Sequence, residues 1–105
     1  MLRERARLLA ELASLSRVLR ASLFERFSVC ARPDCRCHQG HRHGPRTYLA
    51  VTFEKRQRQH YVPQSQRVAA REGVRQFHRL LAIVDRVTVI NLVLLRGGAL
   101  DEPEP

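Results

Sequence analysis

All three cysteines and three of the five histidines of this 105-residue chain lie within residues 30–45, in the sequence CARPDCRCHQGHRHGP. The stretch contains Pro33, Gly40, Gly44 and Pro45 and has no hydrophobic periodicity, which predicts a loop that no hydrophobic core holds in place. Such a cluster of thiols and imidazoles is either a metal site, a redox site or a chance grouping. A metal site would also hold the loop in place.

Four residues of this loop match the pattern of a structural zinc site. They are Cys30, Cys35, Cys37 and His43. Their spacing is C-x4-C-x-C-x5-H, and structural Zn²⁺ takes four thiolate and imidazole ligands in a tetrahedron. We choose His43 as the fourth ligand because it leads directly into a Gly-Pro turn. His41 is the alternative, and His38 is less suitable because it adjoins Cys37.

Other uses of the cysteines fit the spacing less well. The chain lacks the C-x-x-C-H of c-type haem, the C-x-x-C of thioredoxin-like proteins, and the four cysteines usual for an iron–sulfur cluster. A redox role and three unligated cysteines in a loop stay open as alternatives. Nearby arginines are expected to lower the pKa values of the thiols and favour thiolates. They are Arg32, Arg36, Arg42 and Arg46.

Hydrophobic spacing predicts the elements around the loop. Five leucines between Leu8 and Leu23 recur at helical intervals, so residues 1–27 are predicted as a helix. Alternation in TYLAVTF and the short HYVP segment predict a β-hairpin over residues 47–63. A second apolar stripe from Ala70 to Leu95 predicts a helix over residues 64–96, ended by Gly97-Gly98.

The predicted architecture is α+β: an N-terminal helix, a zinc-bound loop at 28–46, a short β-hairpin and a long C-terminal helix. Residues 1–96 are predicted to form a single zinc-stabilised domain, and residues 97–105 a disordered acidic tail. Residues 87–95 are β-branched enough to be a strand. We favour a helix there, with a break near Thr88 as a further alternative.

The motifs resemble those of a family of short bacterial proteins with no assigned function. The shared pattern is C-x4-C-x-C…HGP…YL…YVP, which this chain carries from Cys30 to Pro63. The resemblance covers roughly residues 26–85 and implies zinc binding by the same three cysteines and His43, in proteins of mobile or horizontally acquired DNA. The chain departs from the pattern at Arg46-Thr47, where aromatic residues are usual, and in a hairpin turn without glycine.

The charge of the chain points to a polyanionic partner. The formal net charge is +9, and eighteen of the nineteen basic residues are Arg. Between residues 26 and 79 there are twelve basic and three acidic side chains. Such a concentration favours nucleic acid, DNA or RNA. The predicted nucleic-acid contacts are Arg36, Arg42, Arg46, Arg56, Arg58, Arg67, Arg71, Arg75 and Arg79.

Two plainer interpretations of these arginines stay open. A GC-rich genome raises Arg over Lys, although it does not explain the net charge. The i, i+4 series that starts at Arg67 can also be an ordinary solvated helix face. Tyr48 and Tyr61, in the predicted strands, either stack on bases or simply pack.

The remaining expectations concern activity, location and assembly. The sequence offers no paired carboxylates, glycine-rich phosphate loop or assignable Ser-His-Asp set, so we expect no enzyme activity. No secretory signal or membrane span is visible, so we expect a cytoplasmic protein without a membrane partner. The alternative function is a protein–protein interaction module, a homodimer or a subunit of a larger complex, in which Asn91 could set the register of paired helices.

Overall fold

The computed structural model describes residues 1–101 and has the predicted α+β class. Along the chain, one helix precedes and one follows a three-stranded antiparallel sheet whose strands pair in sequence order. The elements are α1 (Leu2–Ser14), β1 (Ala21–Ser28), β2 (His43–Phe53), β3 (Arg56–Tyr61) and α2 (Arg67–Arg96). Short 3₁₀ helices lie at Arg36–Gln39 and Gln64–Gln66.

The N-terminal helix is shorter than predicted, because it ends at Ser14 rather than near residue 27. The Ser14 hydroxyl donates a hydrogen bond to the carbonyl of Glu11 at 2.5 Å, and Leu15 is already extended. Serine competes for backbone groups in this way and weakens a helix. Residues 21–28 instead form β1, where Leu23 lies opposite Leu49 of β2. The helical spacing of the leucines beyond Leu15 is therefore coincidental.

The predicted hairpin is confirmed, and its strands are longer than the sequence indicated. Strand β2 begins at His43, so the end of the predicted 28–46 loop belongs to the sheet. The turn is formed by Glu54 and Lys55, whose φ angles are 50° and 67°. A two-residue turn with positive φ at both positions matches the twist of the flanking strands, although glycine or asparagine is the usual choice.

The long C-terminal helix is confirmed from Arg67 to Arg96, and residues 87–95 are helical rather than a strand. The helix does not break at Thr88, whose hydroxyl donates to the carbonyl of Val84 at 2.7 Å. At its end, Ala99 N–H donates to Leu94 at 2.8 Å. The first residues of the predicted disordered tail, 97–101, belong to this turn. Residues 102–105 lie outside the described residues.

The chain divides into two compact units, Met1–Val18 with the chain from Arg75 onward, and Leu19–Val74. In the first unit, Ile83 and Ile90 are fully buried. Arg5 is also buried and donates to Asn91 Oδ1 at 3.0 Å. Asn91 therefore bonds within the chain. The prediction of a single domain over residues 1–96 stays a prediction.

The second unit has a small apolar core. Its buried apolar residues are Cys37, Val62 and Ala70. Backbone hydrogen bonds from Leu19 to Gly73 (3.0 Å) and from Val62 to Thr47 (2.8 Å) add to this unit. A core of this size leaves much of the stabilisation of residues 19–74 to the sheet and to other interactions.

The C-terminal half of α2 buries a different stripe from the predicted one. The buried positions are Ile83 and Ile90, whereas Leu81 and Val84 of the predicted stripe are exposed. This part of the helix is apolar on more than one side, so periodicity alone does not select the side that packs. Within residues 1–101, no helix is both long enough and apolar enough to span a bilayer.

The first prediction concerns the ion pair that joins α1 to α2. Arg79 donates two hydrogen bonds to the Glu11 carboxylate, one of them at 2.6 Å, and this lowers the pKa of Glu11 below its ordinary 4.5. A lowered pKa stabilises the folded state above pH 4.5, and this stabilisation disappears as the pH falls through the folded-state value.

Glu11→Gln should therefore lower the melting temperature at neutral pH, and the difference from the wild type should shrink as the pH falls below 4.5. Thermal unfolding of both proteins across this range tests it. Glu25→Gln, on an exposed position of β1, is the matched control and should have little effect at any pH. If the difference in melting temperature between Glu11→Gln and the wild type does not change with pH, the lowered pKa of Glu11 is contradicted.

Candidate metal centre

The four predicted ligands come together where strands β1 and β2 meet. Cys30 lies just after β1, and His43 is the first residue of β2. Cys35 precedes the 3₁₀ helix Arg36–Gln39, and Cys37 lies within it. Strand pairing brings the two ends of the loop side by side, because Ser28 is the register partner of His43.

The ligand atoms of these four residues all lie within 4.8 Å of one another. Cys30 Sγ is 3.6 Å from Cys37 Sγ, and Cys35 Sγ is 3.4 Å from His43 Nε2. Metal–sulfur and metal–nitrogen bonds of about 2.3 and 2.0 Å in a tetrahedron place sulfurs about 3.8 Å apart and sulfur and nitrogen about 3.5 Å apart. The four residues are therefore positioned to hold a metal ion.

The other two histidines of the loop have different positions. His38 Nε2 lies 2.8 Å from the carbonyl oxygen of Arg32, where a protonated nitrogen donates a hydrogen bond. The backbone N–H of His41 donates to Arg36 at 3.2 Å and closes the turn after the 3₁₀ helix. Among residues 1–101, the metal-competent group contains one histidine, His43, and neither His38 nor His41.

Two glycines shape the loop around the cluster. Gly40 ends the 3₁₀ helix with a φ of 98°, in the left-handed region that side chains disfavour. Gly44 has a φ of 124°, and a Cβ added there would lie 2.9 Å from the carbonyl oxygen of Arg26. The backbones of β1 and β2 thus approach closely beside the ligand His43, and a larger residue at position 44 would separate them.

The thiols of the cluster differ in acidity. The backbone N–H of Cys37 donates to Cys35 and, with hydrogen bonds from the Cys37 and Cys30 side chains, lowers the pKa of Cys35 from 9.0 to about 6. Burial raises the pKa of Cys37. The shift at Cys35 comes from hydrogen bonds within the cluster rather than from the neighbouring arginines. The lowered pKa favours the thiolate form of Cys35, which is the form that binds metal cations.

The donor set indicates what the centre can do. Three sulfurs and one imidazole nitrogen complete a tetrahedron and leave no position for substrate or water, as in structural rather than catalytic sites. Cys37 is 2% exposed, and the N–H of Cys30 donates to its sulfur at 3.3 Å. A metal here would join the end of β1, the loop and the start of β2.

The structure distributes the nine predicted nucleic-acid contacts over several surfaces. In the sheet, Arg46 lies on one face, while Arg56 and Arg58 pair with Phe53 and Val51 and lie on the other. Arg67 and Arg71 belong to the second unit, and Arg75 and Arg79 to the first. Arg36 and Arg42 are exposed in the metal loop. Their role in binding nucleic acid stays a prediction.

Arg26 is not among the nine predicted contacts, although it lies in β1 directly opposite Arg46. It was missed because residues 1–27 were assigned to a helix. The closely spaced aromatic residues in ASLFERFS were the available sign of a strand.

The chain belongs to the family DUF6788, a domain of unknown function, whose family model matches residues 1–72. The matched region contains α1, the whole sheet, the four metal-site residues and the start of α2. No curated protein and no solved structure matches the chain.

The second prediction separates the two candidate histidine ligands. His43→Ala removes one of the four clustered donors and should weaken Zn²⁺ binding by at least about tenfold, since even outer-shell partners of metal ligands have effects of that size. Competition with a chromophoric chelator measures the affinity. His41→Ala, two residues earlier in the exposed loop, is the matched control and should keep the wild-type affinity. Equal losses in both variants would contradict the ligand assignment.

Proposed function

We propose that this protein is a non-enzymatic, zinc-stabilised nucleic-acid-binding protein. The observation that carries the binding part is the pairing of Arg26 with Arg46 on adjacent strands, close to the metal centre. Like charges directly opposite each other destabilise a sheet. A phosphate backbone bound beside them would lessen that cost, because its negative charges would offset the repulsion between the two guanidinium groups.

The proposal of zinc rests on the donors. Three thiolates and one imidazole suit zinc better than the hard cations Mg²⁺ and Ca²⁺, which prefer oxygen ligands. The small apolar core of residues 19–74 gives such an ion a role, because metal binding to a folded site adds directly to folding stability. The complete set of protein ligands favours a structural role over catalysis.

The proposal of nucleic acid rests on charge. Six of the nine predicted arginines are exposed and have side chains without a hydrogen bond or ion pair to residues 1–101. They are Arg36, Arg42, Arg46, Arg56, Arg58 and Arg71. By contrast, Arg79 already bonds Glu11 and is the weakest of the nine candidates. A cytoplasmic, bacterial setting and an association with mobile genetic elements belong to the same proposal and rest on the sequence resemblance.

The third prediction tests nucleic-acid binding through its salt dependence. A complex that neutralises about four phosphates should lose about 50- to 150-fold in affinity between about 50 and 200 mM salt. Arg46→Ala should reduce the slope of log affinity against log salt by about one phosphate equivalent, 0.7 to 0.9. Fluorescence anisotropy with labelled single-stranded and duplex oligonucleotides measures both quantities.

Arg96→Ala is the matched control, since Arg96 lies in the last turn of α2, outside the predicted surface. It should leave the slope unchanged. No binding at low salt, or binding that does not respond to salt, would contradict the proposed function.

A second candidate function is self-association through α2. Leu81, Val84, Leu92 and Leu95 are 43–57% exposed and are spaced three, eight and three residues apart along the helix. These intervals place them on one helical stripe, and paired helices bury such stripes against each other. The exposed stripe favours a second copy of this chain as the partner.

The fourth prediction is that Leu92→Glu abolishes self-association, because it would bury a charge in the paired stripe. Sedimentation velocity over a concentration series measures the oligomeric state. Val68→Glu is the control, since Val68 is 75% exposed near the start of α2 and lies outside the stripe. A wild-type protein that stays monomeric at every concentration would remove this candidate.

A further inference from the structure

One face of the sheet carries a row of three aromatic rings, one from each strand. Phe24 of β1 is the register partner of Tyr48 of β2, which in turn pairs with Tyr61 of β3. Phe24 and Tyr48 are stacked, with ring centroids 5.6 Å apart. Tyr48 and Tyr61 meet edge to face at 5.7 Å. Tyr61 ends the row and is 53% exposed.

Arginine side chains adjoin this row on the same face. The guanidinium of Arg26 lies over the Tyr48 ring, 4.5 Å from its centroid. It donates hydrogen bonds to Gln59 Oε1 at 2.9 Å and to the Tyr48 hydroxyl at 3.3 Å, so its plane is fixed. Arg46 is the register partner of Arg26 and is exposed beside it. The face thus combines an exposed ring, a fixed planar cation and a second cation.

The opposite face of the same sheet has a different character. Leu49, Val51 and Phe53 of β2 lie there, with Arg58 and His60 of β3. Phe53 is 70% exposed, so both faces present an accessible aromatic ring. Only the first face sets such a ring beside a row of aromatics and a stacked arginine.

We propose that the first face binds single-stranded nucleic acid, with one base stacked on Tyr61, another on the guanidinium of Arg26, and a phosphate held by Arg46. Aromatic rings and arginine planes are the surfaces on which unpaired bases stack. In a duplex the flat faces of the bases are covered by neighbouring bases. This surface would therefore gain little stacking energy from binding a duplex. This inference rests on the proposed nucleic-acid binding and names the class of nucleic acid.

The amino-acid composition provides a direct readout. The chain has no Trp and two Tyr, Tyr48 and Tyr61, both on the first face. Intrinsic tyrosine fluorescence of the full-length, zinc-loaded protein therefore reports on this face alone. Labelled oligonucleotides, as single strands of DNA and RNA and as a duplex of the same length, provide the affinities. Single strands should quench the tyrosine emission and bind more tightly than the duplex.

Tyr61→Ala should weaken single-strand binding by about 5- to 150-fold, which corresponds to the loss of one stacking partner. It should leave the salt slope and the duplex affinity unchanged, because no charge is lost. Tyr61→Phe keeps the ring and should keep the affinity. Phe53→Ala, on the opposite face, is the matched control and should bind as the wild type does. Bound zinc and circular dichroism establish that each variant is folded.

Three results would overturn the inference. Duplex binding as tight as single-strand binding, or equal affinities of Tyr61→Ala and Phe53→Ala, would reject this face as a stacking surface while leaving nucleic-acid binding intact. Binding of neither single strands nor duplex would reject the proposed function together with the inference.

Discussion

In the second unit, four ligand atoms lie within 4.8 Å of one another and are positioned to hold a metal ion. They come from the segment just after β1, the loop and the first residue of β2, which are otherwise joined by strand pairing and a few backbone hydrogen bonds. Cys37 is both one of the four clustered residues and one of the few buried apolar residues of this unit. A metal ion bound here would therefore tie the loop to the two strands and add to the stability of a unit with a small core.

The metal centre and the aromatic face share the same two strands. Gly44 lets β1 and β2 approach beside His43, and the pairing continues through Arg26 and Arg46 to Phe24 and Tyr48. On the proposed function, a metal ion at the strand ends would therefore also hold the spacing of the arginines and rings, without contacting the nucleic acid.

Local patterns in the sequence were enough for the metal cluster and for most of the helical and hairpin assignments. Cysteines and histidines close in sequence must stay close in space, and a continuous apolar stripe predicted α2. The choice of His43 over His41 agrees with the cluster in the structure. Strand β1 was harder to predict, because Leu23 continues the helical spacing of the leucines that begins in α1. What makes residues 21–28 a strand is their pairing with residues 43–51, which lie 15 to 30 positions further along the chain.

The positions of the arginines in the fold were also only partly predictable from the sequence. Their number and clustering can be counted from the sequence, but the face on which each one lies depends on strand register. Arg46 shares a face with Arg26, whereas Arg58 lies on the opposite one, and Arg79 bonds Glu11. The aromatic row could not be predicted either, since Phe24 joins it only through β1. Long-range pairing, rather than residue type, assembles this surface.

X-ray absorption spectroscopy at the zinc edge, on protein purified without a metal-affinity tag, tests the central claim most directly. We expect about one zinc per chain, bound by three sulfurs at about 2.3 Å and one nitrogen at about 2.0 Å. A folded protein without zinc, or zinc surrounded only by oxygen and nitrogen, would contradict it. The cysteines would then require a redox or incidental explanation, and the stability of the sheet another source.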